Sequence, residues 1–184
     1  MTPFEYFSAM VAVILALGVT HILTAIGQVA QKRELAKLYW IHSLWVLLIL
    51  ASHFTAWWNI WGLRQDLDFS YFAYLYMLIG PVALFLAASV LVPRFAYAEK
   101  VDLRQHYYAV RKTFFLMMLV FVAWPMLMGI FSATVTFSVL AVVPHGVFLV
   151  PIAVCAMSSN AALHGIVVIF TWGLFAAVLI GGYT

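Results

Sequence analysis

Charge is what this sequence has least of. Only 8% of its 184 residues are Asp, Glu, Lys or Arg, and 67% are hydrophobic. A soluble domain carries about 25% charged residues, and one this apolar would expose patches large enough to aggregate. The composition excludes a soluble globular domain and makes the lipid bilayer the natural solvent. Cysteine is nearly absent too. Cys155 stands alone in an apolar run, so no intramolecular disulfide, CxxC pair or zinc pattern exists. There is no GxSxG, P-loop, HExxH or pair of close carboxylates. The acids Glu5, Glu34, Asp66, Asp68, Glu99 and Asp102 all fall near the ends of apolar runs, and no span buries a Lys or Arg. A carboxylate proton relay, a voltage sensor and a retinal Schiff base in the last span are thereby disfavoured. The net charge of +3 does not signal nucleic acid, because the basic residues sit in two short loops rather than on one docking face.

What the sequence has in abundance is long apolar runs. The central one, Tyr39 to Leu63, holds no charged residue and would reach about 37 Å as a helix, enough for a hydrocarbon core of about 30 Å. Tyr39 and Trp40 mark one end, and Trp57, Trp58 and Trp61 the other, as in an interfacial aromatic belt. Further spans are expected at about 4–30, 71–92, 113–133, 137–158 and 161–182. Together they make an all-α bundle of six transmembrane helices in a single domain, 1–184. The first run lacks the basic n-region of a signal peptide and is expected to be retained. Gly80-Pro81 and Trp124-Pro125 should kink their spans, and Pro144 and Pro151 should break the fifth. The stretch from Pro93 to Lys112 reads as a long charged loop that includes an interfacial amphipathic helix.

Eight of the nine Lys and Arg lie in the first and third loops, Gln31–Leu38 and Pro93–Lys112. The positive-inside rule places these loops in the cytoplasm and both termini in the periplasm. Small-residue stripes occur at Ser8, Ala12 and Ala16 and at Gly173, Ala177 and Gly181, where another helix could approach closely. A stripe of Leu17, His21, Thr24 and Gln28 turns polar and should face protein rather than lipid.

The histidines are the one set of residues with chemistry to offer. His42 and His53 are eleven positions apart, about three helical turns, so both lie on one stripe. Counted from the cytoplasmic ends of their spans, His42 and His164 are about 5 Å deep, His53 and His145 about 20 Å, and His21 about 13 Å. Pairs at matching depth on different helices, His53 with His145 and His42 with His164, suit bis-histidine ligation of haem b, with His21 as a substitute. The lack of a CxxCH motif would leave such a haem without thioether links. The simpler expectation is structural, since membrane histidines hydrogen-bond Ser, Thr or freed backbone carbonyls on neighbouring helices.

Gly18-Val19-Thr20-His21-Ile22-Leu23, Tyr39-Trp40-Ile41-His42, and His53 with Trp57-Trp58 resemble a group of small bacterial polytopic inner-membrane proteins. Ser159 to His164 resembles that group's last loop. The resemblance implies a multi-pass fold in the bacterial plasma membrane and supplies no activity or ligand. The function expected from these features is non-enzymatic: a membrane subunit working through helix packing, in a homo-oligomer or a larger membrane complex. A b-type cytochrome is the first alternative, and a small channel or solute pathway the second.

Overall fold

The computed structural model describes the backbone of residues 2–62, 70–93, 100–126 and 139–183, with side chains for 2–61, 70–93, 100–126 and 146–181. Six helices carry the fold: α1 Pro3–Gln31, α2 Trp40–Gly62, α3 Tyr71–Leu91, α4 Leu103–Ala123, α5 Val139–Met157 and α6 Ala161–Tyr183. All but α5 supply a described stretch long and apolar enough to cross a membrane. Each helix turns apolar side chains outward as well as inward. Leu17, Phe54, Phe72, Leu116, Val150 and Ile166 are all more than half exposed. Outward faces of this kind suit lipid, and the fold is that of a helical membrane protein.

Local chemistry sets the helix ends. Thr2 caps α1 through a reciprocal box, accepting from the Glu5 amide while the Glu5 carboxylate accepts from the Thr2 amide. Ser70 caps α3, and Asp102 caps α4 by accepting from the Arg104 and Gln105 amides. That last cap changes the expected layout. The fourth helix starts at Leu103, not Thr113, so half of the expected loop from Pro93 to Lys112 is helix. Leu103, Tyr107, Phe114 and Met118 form its buried stripe, while Arg104 and Lys112 face outward. The chain then leaves the α-helix at Trp124 in a short 3-10 turn, where a kink was expected. The prolines elsewhere do not interrupt their helices: Pro81 lies inside α3, and α5 runs through Pro144 and Pro151. Residues 127–133 and 137–138, assigned to the fourth and fifth spans, lie outside the described residues.

Two short strands, β1 Ala36–Lys37 and β2 Val101–Asp102, pair in parallel. Lys37 Nζ and Asp102 Oδ2 are 3.0 Å apart across this pair. The segments after α1 and after α3 are thus held together at one end of the bundle. Inside, α3 packs on α1 and α4, α4 on α5, and α2 lies against α1, α3 and α6. Trp45 is fully buried near this end, edge-on to Phe114 and Phe115 at 5.6 and 5.2 Å.

Two glycines set how closely these helices meet. A Cβ on Gly18 of α1 would lie 2.1 Å from His53 Nε2 of α2, and one on Gly80 of α3 would lie 2.3 Å from the Trp124 ring. The small-residue stripes behave differently. Ala16 is exposed, with Ser8 and Ala12 half-buried, and α1 instead buries Phe7, Val11, Leu15, Gly18, Ile22 and Ala25. The stripe expected to turn polar toward protein also points elsewhere. Leu17 and Thr24 are exposed, and His21 and Gln28 are half-buried.

Candidate functional site

Polar side chains join helices to one another at the end that carries β1 and β2. His42, near the start of α2, is 4% exposed, and its Nε2 donates to the carbonyl of Leu91, the last residue of α3, at 3.0 Å. His106 of α4 reaches the same carbonyl at 3.0 Å. Two imidazole N–H groups from two helices thus converge on the end of a third. A helix leaves its last four carbonyls without intrahelical partners, and here side chains from other helices supply them.

His164 does the same for α5. Its Nε2 donates to the carbonyl of Ser158, just past the end of that helix, at 2.9 Å. With that proton on Nε2, Nδ1 accepts from the Tyr107 hydroxyl at 2.7 Å. Tyr107 is fully buried and lies edge-on to both His42 and His164, with ring centroids 6.5 and 5.4 Å apart. Tyr39 and Tyr108 complete the cluster, their hydroxyls 3.1 Å apart, and the Arg104 guanidinium stands over the Tyr39 ring at 5.9 Å. Burial, followed by the Tyr108 hydrogen bond, pushes the Tyr39 phenol above its ordinary range, so it stays neutral.

His53 lies further along α2, and its Nδ1 donates to the Ile49 carbonyl one turn back at 2.8 Å. Its Nε2 abuts the backbone of Gly18 and is buried without a hydrogen-bond partner among the described residues. The same is true of His21 Nε2 and His42 Nδ1.

This geometry does not suit the haem pairs. Both nitrogens of His164 are engaged, and Tyr107 packs against both rings of the pair His42 and His164 where a macrocycle would have to lie. On His53, an iron about 2 Å from Nε2 would overlap the Gly18 backbone. His145 lies in α5, but its side chain is outside the described residues. His21 remains on α1, one turn beyond Gly18. Among the described residues, no group of three or more His, Cys, Asp or Glu could hold a metal ion. What the histidines do share is a backbone carbonyl partner, for His42, His53, His106 and His164 alike.

Tyr107 and His106 are central here, yet sequence reasoning placed them in a loop. The available signal was Asp102 followed three residues on by Gln105, a helix start, ahead of the stripe Leu103, Tyr107, Phe114 and Met118. Trp57, Trp58 and Trp61 are half to two-thirds exposed, facing outward as belt residues would.

Two cavities complete the picture. One, of about 220 Å³, sits beside His42 between the ends of α1 and α3 and the starts of α2 and α4. The other, of about 330 Å³, lies toward the opposite end among α2, α4, α5 and α6. It is mostly apolar. Its polar lining residues are Ser52, Thr55, Asn59 and Thr171, and the three hydroxyls each donate to the carbonyl four residues back on their own helix.

The fold and its buried cluster define a class, a polytopic helical membrane protein whose histidines stitch helix ends. No known protein family, curated protein or solved structure matches the chain.

Proposed function

We propose that this chain is a non-enzymatic, multi-pass subunit of the bacterial inner membrane that works through helix packing, as a homo-oligomer. The observation that carries this reading is the outer face of α6. Gly173, Ala177 and Gly181 are exposed there, and among the described residues nothing comes within 4 Å of the Cβ position of either glycine. Small residues four apart let two membrane helices bring their backbones into contact. A two-fold contact needs only one such face per copy, because the same patch serves both. The histidines support this reading by their use, since His42, His106 and His164 each hydrogen-bond a group from another part of the chain.

In the membrane, the reading has six spans, with β1 and β2 at the cytoplasmic end and both termini in the periplasm. The pairing of β1 with β2 supports this by holding the two basic segments on one side of the bundle. A solute pathway is less well supported, since the larger cavity has mainly apolar walls, with the Asn59 amide and three hydroxyls already committed to their own helices.

The test is the mass of the purified protein in detergent by light scattering. The wild type should be a dimer or larger, and Ala177→Leu should shift it toward monomer without lowering its melting temperature. A monodisperse wild-type monomer would overturn the proposal. Cysteine labelling from outside at position 66, and at position 100 only after permeabilisation, tests the orientation.

A further inference from the structure

We propose that the end of the bundle bearing β1 and β2 holds the phosphate of an anionic phospholipid, on a stripe of α4 that carries Arg104, Tyr108 and Arg111. Three observations converge. The first is a pair of cations without anions. Arg104 and Arg111 are seven residues apart, 20° short of two turns, and Tyr108 lies 40° past one turn from Arg104, so the three share a stripe. Neither guanidinium has a carboxylate partner among the described residues, and Asp102, the cap of α4, is taken by Lys37 and two backbone amides. Arg111 is half-buried, eight residues and about 12 Å beyond Leu103. Its Nη1 donates to the Tyr108 carbonyl at 2.9 Å, which draws the guanidinium back toward Arg104. Its Nη2 has no acceptor among the described residues and, unlike its Nε, is open to the surface. An arginine set into a spanning helix with no acid beside it calls for an anion.

The second observation is a phenol proton without an acceptor. The hydroxyls of Tyr39 and Tyr108, both half-buried, are 3.1 Å apart and share one hydrogen bond. Whichever of them donates, the other keeps an O–H with no acceptor among the described residues. The Arg104 guanidinium stands 5.9 Å from the centre of the Tyr39 ring, beside this pair. A phosphodiester presents two non-bridging oxygens and one negative charge. It would accept from the spare phenol and from the guanidiniums, whose forked donors match phosphate.

The third observation is position, and it favours a lipid over a free anion. Leu38 and Trp40 flank Tyr39 in the chain, and both are more than half exposed. They give apolar surface next to the polar pair, at the starts of α2 and α4, where head groups meet the hydrocarbon. A free phosphate would find the cations but leave that surface bare, whereas a lipid covers both. The site needs only that this end of the bundle lie at a membrane surface.

The test is native mass spectrometry of the full chain, delipidated in detergent and given equal amounts of phosphatidylglycerol and phosphatidylcholine. Both lipids carry the phosphodiester, but the choline ammonium cancels its charge. Phosphatidylglycerol should be retained about tenfold or more over phosphatidylcholine. Arg104→Gln combined with Arg111→Gln should bring that preference to within about twofold. Arg33→Gln combined with Lys100→Gln removes two charges from the same end but off the stripe, and should leave the preference unchanged. Tyr39→Phe combined with Tyr108→Phe should weaken retention about fivefold. Inorganic phosphate in large excess should not displace the lipid.

Equal retention of the two lipids would overturn the proposal, as would an unchanged preference in the double arginine variant or unweakened retention in the double tyrosine variant. An equal loss in the Arg33 and Lys100 variant would do so too, because the general positive charge of this end would then suffice. Displacement by inorganic phosphate would make the stripe a site for a free anion and overturn the lipid. If the double arginine variant fails to fold, Arg104→Gln alone, at an exposed position, should lower the preference about fivefold, and no change there would overturn the proposal. Retention is counted per chain, so failure here is distinct from failure of the oligomeric subunit reading.

Discussion

The two ends of the bundle are held by different means. At the end bearing β1 and β2, polar side chains inside the protein join helices to one another. His42 and His106 meet on Leu91, His164 links Ser158 to Tyr107, and Tyr39 meets Tyr108. Toward the other end, the described residues supply one reciprocal pair between α3 and α4. The Tyr76 hydroxyl donates to the Trp124 carbonyl at 2.5 Å, and the Trp124 indole donates to the Tyr76 carbonyl at 2.8 Å. In lipid no hydrophobic force drives helices together, so packing and hydrogen bonds must do it. Where helices end inside the structure, their terminal carbonyls become the anchor points, and a neutral imidazole suits them because it donates without bringing a charge.

Between these ends, close approach matters more than any single hydrogen bond, and the largest expected effect lies there. Gly18→Val would place a branched side chain on the His53 ring, which its hydrogen bond to the Ile49 carbonyl holds in place. Overpacking of this kind costs about 3 kcal/mol. Thermal unfolding in detergent should show the loss, and His53→Ala in the same chain should restore most of it. If the double variant is as unstable as Gly18→Val alone, the contact between these two residues is not what sets the α1–α2 spacing.

The next contrast compares one hydroxyl at each end. Tyr107→Phe leaves His164 Nδ1 as a buried acceptor without its donor, at a cost of about 1–3 kcal/mol. Tyr76→Phe removes a hydroxyl from a half-buried site where the Trp124 indole bond remains, at a cost of about 0.6 kcal/mol. Chemical denaturation of the two variants side by side should rank them in that order. Equal losses would mean that the two ends do not differ in the way the burial of these groups implies.

Much of this was legible in the sequence, and the failures share a cause. Apolar runs located α1, α2, α3 and α6 to within one or two residues, because hydropathy averages over about twenty positions. The same averaging hid the first half of α4. Arg104, Arg111 and Lys112 lower the mean although the buried stripe through Tyr107 is intact. The site is obscured in consequence, since hydropathy alone reads its central tyrosine as part of a loop. Counting depth did bring His42 and His164 to one level, and both meet Tyr107 there. Depth could not say what lay between them. Nor could sequence show which carbonyls the histidines would reach, because helix-end carbonyls leave no mark in side-chain chemistry. In the sequence Gly18 stands out only as part of a motif, and its role depends on a ring thirty-five positions away.

The smallest effect is expected at the surface of the histidine-bearing end, where Asp102 faces both the start of α4 and Lys37. Hydrogen bonds from the Gln105 amide and from Lys37 hold its carboxyl below the usual carboxylate range. A carboxylate whose pKa is depressed by folding contributes stability that is fully present above its unfolded value, about 4. That contribution disappears as pH falls through the lower, folded value. The melting temperature should therefore be flat from neutral pH down to about 5 and decline below about 4. Asp102→Asn should remove part of that decline, because an amide can still cap the helix but has no charge to lose. Lys37 is exposed and Asp102 only half-buried, so solvent screens their pairing, and at neutral pH the variant should melt close to the wild type. A large loss at neutral pH would instead make the strand pair and its ion pair a principal support of this end, ahead of the buried histidines.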